Sequence, residues 1–481
     1  MQKTASAFIL PALVLAAANS MAQQTATVTI DTGKVIHKVD ERAFHGVNIC
    51  ALWNDTGTDA ETLAAYKQMG MGLLRFPGGV PCQWYDWKEP LATGWTEMTP
   101  ESVWKFAKAG GSRMVFQTNT ANDSSTDKDG KKYSFNSSGE HAAAWVRAMR
   151  TAGVDVAFWE IGNEPEMDAP EAHKKKGQDA IYEWYNAKYK EQVEAIRKAD
   201  PKARVMGPAA TNTWFWWAQG TLAKFLKAHG NKTGTGLADV ISLHWYPEGG
   251  NGSWTDKRGI VQREWPKAME FIRGVIKEHD TRDLPLYITE WNWGAGDKNE
   301  SGSNFANAMG VADTVGMFMR TGVAGHTFFV LQRIQRNWGV LAMKQDNRPH
   351  HEASPTYYAL ALTSLLGGEV LETATTSDEA NVMSVYATRN AAKVTSIMLI
   401  NKTGEPVEIK FEWKGLAIPR GAEVRFFSLE GESPNARDVT YNGVKSPTPW
   451  QSALPPPKIL KTSEMPNFKI APYSVNVLQA K

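Results

Sequence analysis

Apolar positions along this chain follow two periods that alternate over most of its length. Short runs rich in β-branched and aromatic residues predict strands at 44–49, 72–76, 113–118, 156–161, 204–207, 240–245, 286–289 and 327–331. Apolar residues spaced three and four apart predict helices between them, at 60–69, 141–152, 180–199 and 265–279, with a last one around 357–366. Eight strands alternating with helices predict an α/β fold, a (β/α)8 TIM barrel. A doubly wound open sheet shares that alternation, but it would carry a glycine-rich phosphate loop after an early strand, and this sequence has none.

From about Glu369 onward the pattern is strands only, at 382–388, 393–401, 407–413, 423–428 and 468–479, with turn residues between them. This predicts a β-sandwich appended to the barrel. An early strand at 26–30 has no helix after it and is expected to join the sandwich. The expected organisation is a signal peptide at 1–22, the early strand in 23–37, the barrel in 38–367 and the sandwich in 368–481.

The signal peptide is read from Lys3, the apolar stretch 7–18 and the small-x-small site Ser20-Met21-Ala22. It predicts export to a periplasm or the exterior, with no segment beyond it long and apolar enough to span a membrane. In that compartment Cys50 and Cys82, each just after a predicted strand, are expected either to pair or to remain a buried thiol pair. Basic and acidic side chains nearly balance, 53 against 51, so neither a nucleic acid nor an anionic membrane is expected as a partner. The 19 tryptophans fit either a large core or a cleft paved with flat apolar faces suited to sugar rings.

Candidate chemistry falls at strand ends, where the loops of a TIM barrel build its active site. The fourth strand runs into "FWEIGNEPEMD", 158–168. Alternation puts Val156, Phe158 and Glu160 on one face; Gly162 and Asn163 break the pattern, and Glu164 then projects near the rim. Pro165 ends the ladder, so Glu166 and Asp168 are expected as charges of the outgoing loop. The seventh strand ends in "LYITEWNWG", 286–294, where Leu286, Ile288 and Glu290 are expected on one face. Two strand-end carboxylates can thus converge, as glycoside cleavage requires: one protonates the leaving oxygen and the other attacks or assists at the anomeric carbon. His244 and Tyr246 end the sixth strand beside Glu290, where a tyrosine hydroxyl would favour an ionised nucleophile. Arg75 ends the second strand and would add positive charge there, or pair with an inward, buried Glu160. Glu164, near Trp159 and Pro165, suits a raised pKa and acid/base work.

These residues resemble clan A of the retaining glycoside hydrolases, whose signature is Asn-Glu on strand four and Glu on strand seven. The resemblance implies that Glu164 is the acid/base and Glu290 the nucleophile. It further implies that Asn163 contacts a sugar hydroxyl and that Tyr246 orients Glu290. "LRFPGG" (74–79) followed by "WYDWKEPL" (84–91) is most similar to family 51, the α-L-arabinofuranosidases, and Gln332 fits that family's sugar-contacting glutamine. Two positions depart from family 51: "HGVNIC" (45–50) stands where it carries a strand-one glutamate, and Val80 stands where it has asparagine. "WEIGNEPE" (159–166) is closer to families 39 and 79, which cut β-xylosides or β-glucuronides.

The remaining aromatics and loops divide between structure and binding. Trp291, Trp293 and Trp338 lie beyond strands seven and eight, and at least one is expected to wall a sugar subsite. "WFWWAQG" (214–220) is expected as another wall or as packing beneath a loop. "DSSTDKDGKK" (123–132) resembles a calcium loop but lacks its twelfth-position glutamate, and is read as a polar loop. His244 is expected either to contact sugar or to satisfy a bond within the barrel. The leading expectation is therefore a secreted retaining α-L-arabinofuranosidase whose partner is a plant or microbial carbohydrate and which needs no cofactor. A β-glycosidase or endo-glycanase of the β-xylosidase or β-glucuronidase type is the enzymatic alternative. A non-catalytic carbohydrate-binding protein is the alternative of another class.

Overall fold

The computed structural model describes residues 24–51, 58–90, 98–121, 124–126, 132–211, 220–247, 254–293, 303–332, 338–344, 348–415, 418–419 and 421–481. The signal segment, the aromatic positions 214–219 and the polar-loop positions 123 and 127–131 lie outside them. Eight parallel strands close a barrel: Gly46–Asn48, Leu73–Phe76, Arg113–Thr118, Val156–Ile161, Val205–Ala210, Val240–Trp245, Leu286–Trp291 and Gly325–Phe328, strands one to eight in the text below. Helices outside the barrel begin and end on local signals. Asp59 caps Ala60–Met69 by accepting from the Thr62 N–H, and Gly70 ends it in the left-handed region (φ 69°). Thr99 and Ser102 cap Pro100–Gly110 reciprocally, with Pro100 at its first position.

The barrel interior is layered along the strand direction. Nearer the strand N-termini, Leu73, Val115, Phe158, Met206, Val240 and Tyr287 form an apolar plug. Toward the C-termini the same faces carry Asn48, Arg75, Gln117, Glu160, His244 and Glu290, all under 9% exposed. Strand seven differs from simple alternation. Tyr287 pairs with Ser242 and Ile288 with Leu243, but Glu290 pairs with His244, so a bulge at Thr289 shifts the register. The inward residue before Glu290 is therefore Tyr287, whose ring packs on Phe158, while Ile288 joins the outer core.

After the helix Pro355–Thr363 the chain enters an eleven-stranded, mostly antiparallel sheet. Gln24–Val39 is one of its strands, parallel to Val407–Lys414 and antiparallel to Gly368–Thr375. The sheet curls around its own core, which includes Val28, Leu371, Val385, Leu399, Ile409 and Leu478. Its other face, through Tyr386, Met398, Phe427 and Val477, packs on the barrel's outer core. Gly368–Thr375 has no counterpart in the apolar periodicity, because five of its eight positions are Gly, Glu or Thr. The expected strand 468–479 is two strands, Phe468–Ile470 and Ser474–Ala480, divided at Pro472. The helix Phe305–Arg320 lies wedged between barrel and sheet and is buried almost all round. A Cβ on Gly316 would come within 2.3 Å of the Tyr386 ring, so the close approach of helix and sheet requires glycine there.

Candidate active site

The turn after strand four brings its acids to the mouth by an unusual backbone path. Gly162 has φ 76° and Glu164 itself lies in the left-handed region, φ 37° and ψ 64°. For a residue with a side chain such a conformation costs about 1–3 kcal/mol. It is held from two sides. The Glu164 N–H donates to the Ala209 carbonyl at the end of strand five (2.9 Å), and the Glu164 carbonyl accepts from Met167 and Asp168 N–H (2.8 Å each). Those last bonds close a one-turn helix, Pro165–Asp168, opened by the proline.

Strand seven delivers Glu290 opposite. Tyr246 Oη donates to its Oε1 (2.7 Å) and Arg75 Nη1 to its Oε2 (3.2 Å), so both oxygens are held in orientation. Gly79, with φ 86°, lets the loop after strand two approach, since a Cβ there would sit 3.0 Å from Glu290 Oε2. His244 lies between the two acids, its Nδ1 2.9 Å from Glu164 Oε1 and 3.9 Å from Glu290 Oε2. Because Arg75 Nη2 can only donate, His244 Nε2 (3.3 Å away) accepts, and Nδ1 carries the proton donated to Glu164. Burial pushes the His244 pKa down to about 4, with Glu290 opposing and Arg75 reinforcing the fall, so the ring is neutral. One donor atom each of Glu164, His244 and Glu290 lie within 4.8 Å of one another. A metal there would need a lone pair on His244, but Nδ1 is protonated and Nε2 already accepts from Arg75.

Arg75 is fully buried beneath this group. Its Nε donates to Glu160 Oε2 (2.6 Å), Nη1 also to Asn48 Oδ1 (2.8 Å), and Nη2 to Asn163 Oδ1 (3.0 Å). Asn48 Nδ2 in turn donates to the carbonyls of Thr289 and Thr327 (3.1 and 3.0 Å), tying strand one to strands seven and eight. Gln117 accepts from the N–H groups of Gly78 and Gly79 (2.9 Å each) and donates to Asn163 Oδ1 (3.3 Å).

Several expectations change against this geometry. Arg75, expected to add charge beside Glu290 or to pair with a buried Glu160, does both, and His244 takes the bond within the barrel; neither has exposed side-chain surface with which to bind substrate, and both act from below, through the carboxylates and Asn163. Trp291 does not wall the cleft. Its outward position on strand seven buries it completely against Phe318 and Phe328, with Nε1 donating to His326 Nδ1 (3.2 Å). Trp293 is buried against Gly310. Trp338 is the tryptophan of these three next to the site, its ring 6.2 Å from that of Tyr246. Gln332 is buried just beyond Leu331, whose N–H donates to Asn48 O. Cys50 and Cys82 are separate, buried thiols.

Glu166 and Asp168 are not solvated loop charges. Glu166 accepts from the Thr221 hydroxyl and from Thr211 N–H (3.3 Å), and Asp168 Oδ2 accepts from Asn163 Nδ2 (2.9 Å). Burial pushes Glu164, Glu166 and Asp168 each up to about 7; the charge of Glu164 adds to the rise at the other two. Pro165 had signalled a loop, but it starts a helical turn that folds these acids back under the strand end. Gln117 was missed too, although a polar residue two places after inward Val115 is the same strand-end signal as Glu160 after Phe158.

Two carboxyls from strands four and seven, meeting at the C-terminal mouth of an eight-stranded parallel barrel, define a glycoside hydrolase of clan A. The chain belongs to the glycosyl hydrolases family 39, whose family model matches residues 143–408, more than half its length. No curated protein matches the chain. Among solved structures, it is similar to a family 51 α-L-arabinofuranosidase from Thermotoga petrophila RKU-1, with a TM-score of 0.68, 16% identity, and 95% of this chain and 100% of that one covered. The bifunctional glucanase-xylanase CelM2 from a metagenome library gives 0.67 at 14% identity, covering 95% and 99%. The family 44 endoglucanase Cel44A from Clostridium thermocellum gives 0.64 at 15% identity, covering 95% and 100%.

Proposed function

We propose that this hydrolase is a retaining glycosidase in which Glu290 is the nucleophile and Glu164 the acid/base. The observation that carries the reading is the approach of the two carboxyls, with one oxygen of each within 4.8 Å of the other. Double displacement needs roughly 5–5.5 Å between carboxyl groups, whereas inversion needs a wider gap for water. Glu290, oriented by Tyr246 and Arg75, attacks the anomeric carbon while the glycosidic C–O bond breaks and the Glu164 proton passes to the leaving oxygen. Water then attacks the glycosyl-enzyme, giving its proton to Glu164 and freeing Glu290. A pKa near 7 suits a group that donates in one step and accepts in the next. Among the described residues Asn163 Nδ2 donates one N–H, to Asp168, which leaves the other for a sugar hydroxyl.

Charge at the mouth favours a neutral sugar. Among the described residues, Glu164 and Glu290 would face an added carboxylate, and Arg75 is already committed to Glu160 and Glu290. Membership of family 39 supports a β-xyloside as substrate. An α-L-arabinofuranoside is the second reading, favoured by "LRFPGG" and "WYDWKEPL", although Asn48, in the strand-one stretch where family 51 carries a glutamate, is spent on cross-linking strands. Export of the enzyme through residues 1–22 belongs to the same proposal; N-terminal sequencing of the mature protein beginning near Gln23 would support it.

The test is a panel of aryl β-xyloside, α-L-arabinofuranoside and β-glucuronide on the parent enzyme and on Glu290→Ala with azide. Cleavage of a neutral glycoside and azide rescue, yielding a glycosyl azide of inverted configuration, are expected. Turnover of the glucuronide alone would overturn the neutral-sugar reading. Absence of rescue in a folded variant, against an active parent, would overturn the role of Glu290.

A further inference from the structure

A third acid at the mouth is left unused by the double displacement, and its contacts give it work to do. Asp168 is half-buried, and its Oδ2 accepts from the Nδ2 of Asn163 (2.9 Å). The opposite end of that amide, Asn163 Oδ1, takes bonds from Arg75 and Gln117. The amide plane is therefore clamped at both ends, and the side toward Asp168 decides which way its remaining N–H points. The side chain of Gln83, on the turn Val80–Trp84 after the glycine pair, lies near enough to Asp168 to favour its charged form.

We propose that Asp168 is a positioning residue for the glycosidic reaction: it orients Asn163 toward the sugar, and its negative charge makes Glu164 keep its proton until the leaving group takes it. The inference rests on the reading of Glu164 as acid/base. The Asn163 donor and the nearby Gln83 amide favour the charged form of Asp168, and a charged neighbour disfavours a second charge on Glu164. Burial and the charge of Glu164 work in the other direction on Asp168, so the two acids titrate as a pair around neutrality. The other titratable groups that act on them are placed on every side. Glu166 lies on their own segment and Cys82 on the turn beside Gln83, while Tyr182 and Tyr185, on the helix Gln178–Ala199, act on Glu166. Arg75, His244 and Glu290 face them from the barrel. Of these, Arg75 favours ionisation of Glu164 and so works against its holding a proton. The negative charge on Asp168 opposes that pull.

The two effects separate by substitution. Asp168→Asn keeps an oxygen that can accept from Asn163 but removes the charge; Asp168→Ala removes both. Activity is followed as kcat and KM against pH on the aryl glycoside that the parent cleaves, beside Glu164→Ala on aglycones of good and poor leaving ability. For Asp168→Asn, the alkaline limb of kcat/KM should move down by about one pH unit, with KM near the parent's. Asp168→Ala should show the same displaced limb and a further loss of roughly tenfold in kcat/KM, through the unfixed Asn163. A limb that stays in place in Asp168→Asn, or a parental kcat/KM in Asp168→Ala below the limb, overturns the inference. Circular dichroism on each variant checks folding, and the near-isosteric Asp168→Asn keeps the test open if the alanine variant unfolds. If Glu164→Ala shows no extra loss on poor leaving groups, the acid/base reading itself fails. If it does, and Asp168→Asn keeps the parental limb, only the role of Asp168 falls.

Discussion

The molecule buries charge in two places, and they are built differently. At the seam between barrel and sheet, Lys402 Nζ reaches Asp313 Oδ2 (2.5 Å) and the carbonyls of Glu379 and Ala380 (2.6 and 3.4 Å), so each of its three donors has an acceptor. Asp313 also accepts from Tyr386 Oη (2.6 Å) and Gln262 Nε2 (2.7 Å), while Arg320 forks onto Glu379 (2.8 and 2.9 Å). Cations and anions match one to one there. Among the described residues at the barrel mouth one cation, Arg75, serves Glu160 and Glu290, while Glu164 accepts from neutral His244 and Asp168 from the Asn163 amide. Both places pay the desolvation of buried charge, so burial alone does not mark a working site. A matched, closed network fixes one docking of two domains; an unmatched one, with Glu164 and Glu290 still partly open at 16% and 10%, leaves protons to move.

The largest effect that tests this contrast is on catalysis at the mouth. Glu290→Ala should lower kcat/KM on the order of 10⁵-fold while leaving the thermal midpoint near the parent's, since Arg75 retains Glu160. Lys402→Ala should do the reverse. It strands Asp313 without its cation and should cost about 3–5 kcal/mol in denaturant unfolding, with kcat/KM of the folded fraction unchanged. Loss of turnover in folded Lys402→Ala would break the contrast and make the seam part of the catalytic apparatus.

The two regions were also unequally legible in the sequence. Local periodicity placed strands at 113–118, 156–161 and 240–245 and the helix at 60–69, where the structure has them. It carried Glu164 and Glu290 to one end of the barrel because both follow apolar runs. Alternation could not foresee the bulge at Thr289, which depends on pairing with strand six. Trp291 is one of three tryptophans offered as a cleft wall, although alternation from Glu290 already turns it outward, into Phe318. The seam was not legible at all. Asp313 and Lys402 are 89 positions apart, between a helix and the end of the sheet strand Thr395–Asn401, and nothing in either segment's own pattern names the other. Acids after a proline look like a loop until the turn they form, and the amide they clamp, are seen in space.

A smaller effect distinguishes the two networks by pH. Glu164 has a pKa of about 7 in the folded protein against 4.5 for an ordinary glutamate, chiefly through burial. Between those values the folded protein holds a proton that the unfolded chain has released, so stability falls as pH rises from 4.5 and the loss is complete above 7. Glutamine is neutral throughout and of the same shape. Glu164→Gln should therefore match the parent's stability at pH 4 and exceed it by on the order of 1–3 kcal/mol at pH 8. Lys402→Ala, which leaves the mouth intact, should keep the parent's slope over the same interval. Urea unfolding of the three proteins at pH 4, 6 and 8 reads both slopes. Equal slopes in Glu164→Gln and the parent would mean that Glu164 is ionised in the folded state at neutral pH. The mouth would then be a settled ion network like the seam, with no proton of its own to give.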